Sequence, residues 1–375
     1  MAQFGDFTVD RNSTKYVLGS GGTIISYATD EPAFEFNSDG SYKGLLVEPA
    51  ATNLLFYSED FDNWSKNNVT VTANATVAPN GLTVANKIVE NTANDRHQVY
   101  SGSGTAGSFS IYAKAAERSI LGVYSGSFFS FDLSAGTATG SGASIESVGS
   151  GWFRCFATRT NSSSVYVGPS INTVVDDLSW TYTGDGTSGI YLWGAQLETG
   201  PIATSYIPTT TAQVTRVKDD ITLGSASSLI GQTEGTLYVE VDWRLATGTF
   251  QNLVSINDGT LNNRFTIVNF NSPVQLRMYA IASGNNEVDQ GVDSSGFSGI
   301  QKFAFAYADS DFELYRNGSS VSSDTSGSLA ALATLTDIDI GQAATSVSTT
   351  NMHIRAVALY PKRLSDAECE ALTTL

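Results

Sequence analysis

A few residues in this 375-residue chain are of types and spacings that could do chemistry. Glu240 and Asp242 stand two apart, so on a strand they share a face. Two carboxyls that converge on one bond can act as acid and nucleophile in glycoside hydrolysis. His97 and His353 are the only histidines. No Gly-x-Ser-x-Gly elbow accompanies them and neither has a partner at metal-ligand spacing, so both read as ordinary surface or strand residues. Sugar binding needs an aromatic ring lying flat against a pyranose, with polar side chains around it. Trp180 and Tyr182, alternating with small polar residues before the turn Gly184-Asp185-Gly186, fit that requirement, and so does Tyr112, which shares a strand face with Lys114. Trp152 and Trp193 fall in apolar strand patterns and are assigned to the core.

The elements that must position these residues are strands. Val69, Val71, Ala73, Ala75 and Val77 alternate with polar residues at period two, and the same pattern runs through 109–114, 237–243 and 303–307. Gly, Asn, Asp and Ser lie between these runs, an arrangement that indicates β-sandwiches. Asn317-Gly318, after Phe312-Glu313-Leu314-Tyr315, supplies the pair of positive-φ residues a tight hairpin requires. Helix is expected only near the C-terminus, where Ser365 and Glu368 form a capping box and Leu364 can staple to Cys369. The fold class read from this is all-β: two tandem jelly-roll sandwiches, an extended N-terminal arm and a short C-terminal helix.

The Pro-Thr stretch 207–213 has no periodic pattern and separates two strand-rich halves. The expected organisation is an arm or collar over 1–53, a sandwich over 54–208 and a second sandwich over 209–375. The first stretch is too short to bury a core by itself and must pack on something else. With 20 Lys and Arg against 37 Asp and Glu, the formal charge is −17. Such a chain disfavours nucleic acid and anionic membrane as partners. No run of about 18 apolar residues and no basic, apolar leader occur, which predicts a soluble protein made in the cytoplasm without membrane insertion. Cys155 and Cys369 are then expected to be reduced and buried.

Two stretches carry family resemblances. Arg11 to Val17, Glu31-Pro32-Ala33-Phe34 and Gly44 to Leu55 resemble the leader of tailed-phage virion proteins. Beyond them, Tyr57 to Trp64, Phe109 to Lys114, Gly151-Trp152-Phe153-Arg154 and Gly189 to Glu198 are similar to the jelly-roll carbohydrate-binding modules attached to glycan-degrading enzymes. This likeness covers about residues 10–208. The second half resembles a laminin-G or concanavalin-like domain through Gly235 to Val241, the Tyr315 to Gly318 hairpin, and Ile354 to Tyr360 followed by Leu364 to Glu368.

The resemblances imply a virion surface protein assembled in the host cytoplasm: a capsid decoration protein, head fibre or tail fibre. Its partners would be major capsid or tail proteins and host-surface glycans, and its assembly a homotrimer, since symmetric display strengthens weak glycan sites. They also imply a structural calcium as the one candidate cofactor, with Asp60 and Asp62 in the first-strand region as ligands. Asp185 and Asp258, each beside a glycine, are further loop candidates, although an Asp-Gly pair is a turn signal first. The last-strand acidic position is occupied by Gly194-Ala195. In laminarinase-like hydrolases a Glu follows the Asp of the acid pair by three residues. Here Leu245 stands there, followed by Ala246, so Glu240 and Asp242 read as a solvated strand face and the protein as a non-enzyme. The alternatives are a purely structural decoration protein and a glycan depolymerase or its accessory module.

Overall fold

The computed structural model describes residues 6–103, 106–243, 250–344 and 350–375. The chain is nearly all β, built as two sandwiches. Leu245 and Ala246 lie outside the described residues, as do the first five.

The first sandwich pairs two six-stranded sheets. One runs Thr137–Thr139, Phe128–Asp132, Ile120–Tyr124, Ser164–Ser170, Gln98–Ser103 and Ser65–Asn67 in spatial order. The other runs Ala143–Gly149, Trp152–Arg159, Gly107–Ala115, Gly189–Glu198, Ala85–Glu90 and Val69–Thr76. Period-two alternation sends Phe109, Ile111, Leu121, Val123, Val165 and Val167 inward, where they are fully buried. Val69–Thr76 is an edge strand, and its apolar face is only partly covered.

The second sandwich pairs two seven-stranded sheets. One contains Ser319–Asp324, Asp311–Arg316, Gly299–Ala308, Glu234–Trp243, Met352–Tyr360, Tyr42–Val47 and Phe34–Phe36. The other contains Thr8–Asp10, Asp220–Leu223, Asp337–Ile340, Phe250–Asn257, Arg264–Asn271, Val274–Ala282 and Asn285–Asp293. The hairpin forms where expected, with φ 47° at Asn317 and 86° at Gly318. The C-terminal helix Asp366–Thr373 carries the Ser365–Glu368 capping box, and Leu364 packs in one buried cluster with Cys369. Both cysteines are free and buried.

The residues before 53 do not form an arm standing apart. Thr8–Asp10 pairs antiparallel with Asp220–Leu223, and Leu45 and Val47 of Tyr42–Val47 pair with Ile354 and Met352. The hairpin of Lys15–Leu18 and Ile24–Tyr27 instead lays Leu18 and Ile24 against Trp152, Trp193 and Tyr206 of the first sandwich. The physical reason is that these short apolar strands cannot bury themselves, while the two sandwiches offer open edges and faces that accept them. The stretch 207–213 is equally bound: the Thr209 hydroxyl donates to the Leu55 carbonyl at 2.7 Å, and Ala51–Asn53 pairs with Val214–Arg216.

A buried ion network lies where these parts meet. Asp219 accepts from Arg11 Nη1 at 2.9 Å, Lys15 Nζ at 2.6 Å and the Glu48 backbone N–H at 2.8 Å. Glu48 pairs with Lys15 at 3.0 Å and Arg216 at 3.5 Å. It also accepts from the Ser205 N–H at 2.6 Å and the Ser205 hydroxyl at 2.7 Å. Burial opposes ionisation of Glu48, but Arg216, Lys15 and the Ser205 hydrogen bonds outweigh it and hold the carboxyl at about 2.

Candidate functional site

The three rings expected to form a sugar platform are all buried. Trp180 ends the short helix Asp177–Trp180 and lies over Gly122, where a Cβ would come within 2.6 Å of its indole. Its N–H donates to the Pro169 carbonyl at 3.1 Å. The Tyr182 hydroxyl donates to Glu90 at 2.6 Å. Burial by itself would raise the Glu90 pKa, but hydrogen bonds from Arg118 and Tyr182 hold it below the usual value. Tyr112 does stand on an outward strand face beside Lys114. There the N-terminal hairpin and Tyr206 cover it, and burial pushes its phenol up to about 12. No face of these rings is open to a pyranose, so they are packing residues and not the expected platform.

The acidic candidates for calcium serve as turn and cap groups. Asp60 accepts from the Asp62 N–H at 3.2 Å and from Asn63 Nδ2 at 2.7 Å, and Asp62 pairs with Lys66 at 3.0 Å. Asp185 takes the N–H groups of Thr187 and Ser188 at 2.8 and 2.7 Å, and Asp258 takes the Thr260 N–H at 3.0 Å and Asn263 Nδ2 at 2.8 Å. Among the described residues no group of three or more His, Cys, Asp or Glu is placed to hold a metal ion. These four aspartates spend their oxygens on local backbone and side chains, which is turn chemistry.

His97 and His353 are fully buried rather than on the surface. His97 bridges the carbonyls of Asn68 and Tyr182 at 2.8 and 3.3 Å, and His353 pairs with Glu35. Glu240, of the acidic pair, is tied to Arg355 Nε at 2.7 Å and accepts from the Tyr238 hydroxyl at 3.3 Å.

A different set of residues meets the requirements the sequence placed elsewhere. On the outer face of the second sandwich, the adjacent strands Phe250–Asn257, Arg264–Asn271 and Val274–Ala282 floor a groove of about 350 Å³. That size suits a small ligand. Alternation turns Phe265, Ile267, Leu276 and Met278 into the core. It leaves Arg264, Thr266, Phe270, Arg277 and Tyr279 on the opposite face. Register brings Phe250 opposite Phe270 and Thr266 opposite Tyr279. The turn carrying Leu261 and the segment carrying Ala343 also line the groove.

The rings are held at defined angles. Phe250 meets Phe270 edge to face, centroids 4.7 Å apart at 84°. Arg277 lies 5.0 Å over Phe270, and Arg264 lies 5.2 Å over Tyr279. Phe250 is 43% exposed and is the open ring of the set. Farther along the same sheet face, Asp339 accepts from Thr222 at 2.7 Å, Asn257 at 2.7 Å and the Ala344 N–H at 2.6 Å. These bonds fasten the 341–344 segment to the sheet. The result is an apolar ring surface with hydroxyl, amide and guanidinium donors beside it, the combination that holds a pyranose. The sequence signal was present in Arg264 and Phe270 on one strand and Arg277 and Tyr279 on the next, each pair on a single face. These residues lie within strands, away from the turns beside which exposed aromatics are expected.

The first sandwich presents a second exposed aromatic face. Tyr100, Tyr166, Tyr124 and Phe128 cross four neighbouring strands, each half-buried. Tyr100 and Tyr166 stack 4.9 Å apart within 22° of parallel, with Tyr124 5.9 Å from Tyr166 and Phe128 4.8 Å from Tyr124. Tyr100 and Tyr166 turn faces toward each other, so their edges point outward.

No protein family matches the sequence, and no curated protein matches it. Several solved structures are similar to parts of the chain. The CBM40 module of the Ruminococcus gnavus IT-sialidase is 15% identical over 40% of this chain and 86% of its own, with a TM-score of 0.34. Leech intramolecular trans-sialidase is 16% identical over 39% of this chain and 24% of its own, with a TM-score of 0.33. Trypanosoma rangeli sialidase is 11% identical over 77% of this chain and 60% of its own, with a TM-score of 0.31. TM-scores this low fix neither a ligand nor an activity for the chain.

Proposed function

We propose that this protein is a non-enzymatic surface protein of a tailed-phage virion, a capsid decoration protein or a head or tail fibre, that adheres to host or environmental glycans. The observation that carries the glycan part is the groove over Phe250, Phe270 and Tyr279. There one exposed ring, Phe250, stands beside two half-buried rings and polar donors. The virion part rests on the resemblance of residues 11–55 to virion leaders. A homotrimer displaying three such grooves would turn a weak single-site affinity into firm attachment. Glu240, bonded to Arg355, supports the non-enzymatic reading, because a carboxyl so occupied is poorly placed to protonate a leaving group.

The test is binding of the full chain to an oligosaccharide array, repeated with Phe250→Ala. Binding weakened roughly tenfold by the substitution supports the reading, the loss expected for truncating a central aromatic contact. Absence of binding to every sugar, or equal binding by both proteins, overturns it. One observation favours a second reading, a structural decoration protein that binds no sugar. The half-buried row of Tyr100, Tyr166, Tyr124 and Phe128 is an aromatic surface suited to packing against another protein.

A further inference from the structure

Two guanidinium groups on this sheet face differ in electrostatic state, and of the two Arg264 lines the groove. Arg277 is neutralised within the sheet, paired with Asp289 and bonded to Gln275 at 2.7 Å. Arg264 makes no ion pair among the described residues. Its Nη1 donates to the Leu261 carbonyl, its plane rests over Tyr279, and its other N–H groups have no hydrogen-bond partner among the described residues. Arginine keeps its charge in proteins and carries five donors in a planar fork. Here that fork lines an open groove, beside Thr266 and within reach of a ligand resting on Phe250. In a chain with a net charge of −17, a partly buried cation without a carboxylate partner is a poor arrangement unless a ligand supplies the anion.

We infer that the groove selects acidic sugars, with the carboxylate of a hexuronic or nonulosonic acid accepting a forked pair of hydrogen bonds from Arg264 while its ring rests on Phe250. This inference rests on the glycan-binding reading and narrows it to a ligand class. The geometry assigns the two functions to different residues, ring contact to Phe250 and charge recognition to Arg264. A carboxylate also matches the guanidinium fork in a way a neutral hydroxyl does not. Burial lowers the pKa of Arg264, a desolvation that an incoming carboxylate would offset.

The experiment measures binding of the full chain by calorimetry to trigalacturonic acid, its methyl ester and 3′-sialyllactose, with lactose as the neutral counterpart of the last. The ester and lactose keep sugar rings and lose the charge. The expected result is that at least one acid binds roughly ten- to hundredfold tighter than its neutral counterpart, the range for a charge-assisted contact. Which acid does so distinguishes a uronate from a nonulosonate ligand. Arg264→Gln should remove that preference, bringing each acid and its neutral counterpart to within about twofold of each other. Arg264→Lys should recover only part of it, since the point charge lacks the fork. Acid and neutral forms binding equally to the unmodified protein would overturn the inference and leave the glycan reading standing. Failure of all four probes and of the wider array would remove both.

Discussion

Replacing Glu48 by Gln isolates the charge at the centre of the junction. The side chain keeps its shape but loses the anion that faces Lys15 and Arg216, and an amide NH2 can only donate toward them. The magnitude follows from linkage. The folded carboxyl sits at about 2 against an ordinary 4.5, and at about 1.4 kcal/mol per unit this corresponds to stabilisation of roughly 3 kcal/mol. Because the folded value is depressed, that stability is fully present above pH 4.5 and is lost as pH falls toward 2. Glu48→Gln is therefore expected to destabilise the protein by about 3 kcal/mol at pH 7 and by progressively less in acid. Urea unfolding followed by tryptophan fluorescence, run at several pH values from 7 to about 3, measures both quantities. Parallel stability–pH curves for the two proteins, or a loss below about 1 kcal/mol at pH 7, would refute the assignment of this charge as a structural keystone.

Two further outcomes follow from the packing. Deleting residues 1–50, which an arm-like N-terminus would tolerate, is expected to leave the second sandwich misfolded or aggregated. It removes the buried Leu45 and Val47 from the core and strands Asp219 and Arg216 without their partners, so a monomeric product with native unfolding behaviour would contradict the interleaved architecture. Burial pushes the Cys155 thiol well above its ordinary pKa and the Cys369 thiol to about 11, so neither should react with a thiol reagent such as DTNB until the protein unfolds. Rapid labelling of either in the native state would contradict its placement.

Much of the fold was legible because it depends on local rules. Alternation set the strands, Asn317-Gly318 set a hairpin, and Ser365 with Glu368 set the helix start. What was not legible depends on contacts distant in sequence. Tyr112 lies on an outward face as its alternation indicates, yet residues far away in the chain cover it. Trp180 has the local pattern of a solvent-facing aromatic, and only the glycine at 122 on a neighbouring strand makes room for it against the sheet. Conversely, nothing near Phe250 in sequence distinguishes it. Its role emerges when Phe270, Tyr279 and two arginines arrive on adjacent strands. The partners of the N-terminal strands Thr8–Asp10 and Tyr42–Val47 were not legible for the same reason, since they lie at residues 220–222 and 352–354.

The pairing of segments so distant in sequence has a consequence for biosynthesis and for modularity. The strand Tyr42–Val47 is made well before its partner Met352–Ile354, with the whole first sandwich synthesised between them. The first sandwich lies wholly between them and can mature while the apolar run Gly44-Leu45-Leu46-Val47 still waits, exposed on the nascent chain to chaperones and to premature association. The first sandwich is in this sense an insertion within the second, and its two points of departure are held side by side by the pairing of Ala51–Asn53 with Val214–Arg216. A domain put in its place would need ends equally close, and would also have to cover Leu18 and Ile24 and to supply the hydrogen bonds that Ser205 gives Glu48.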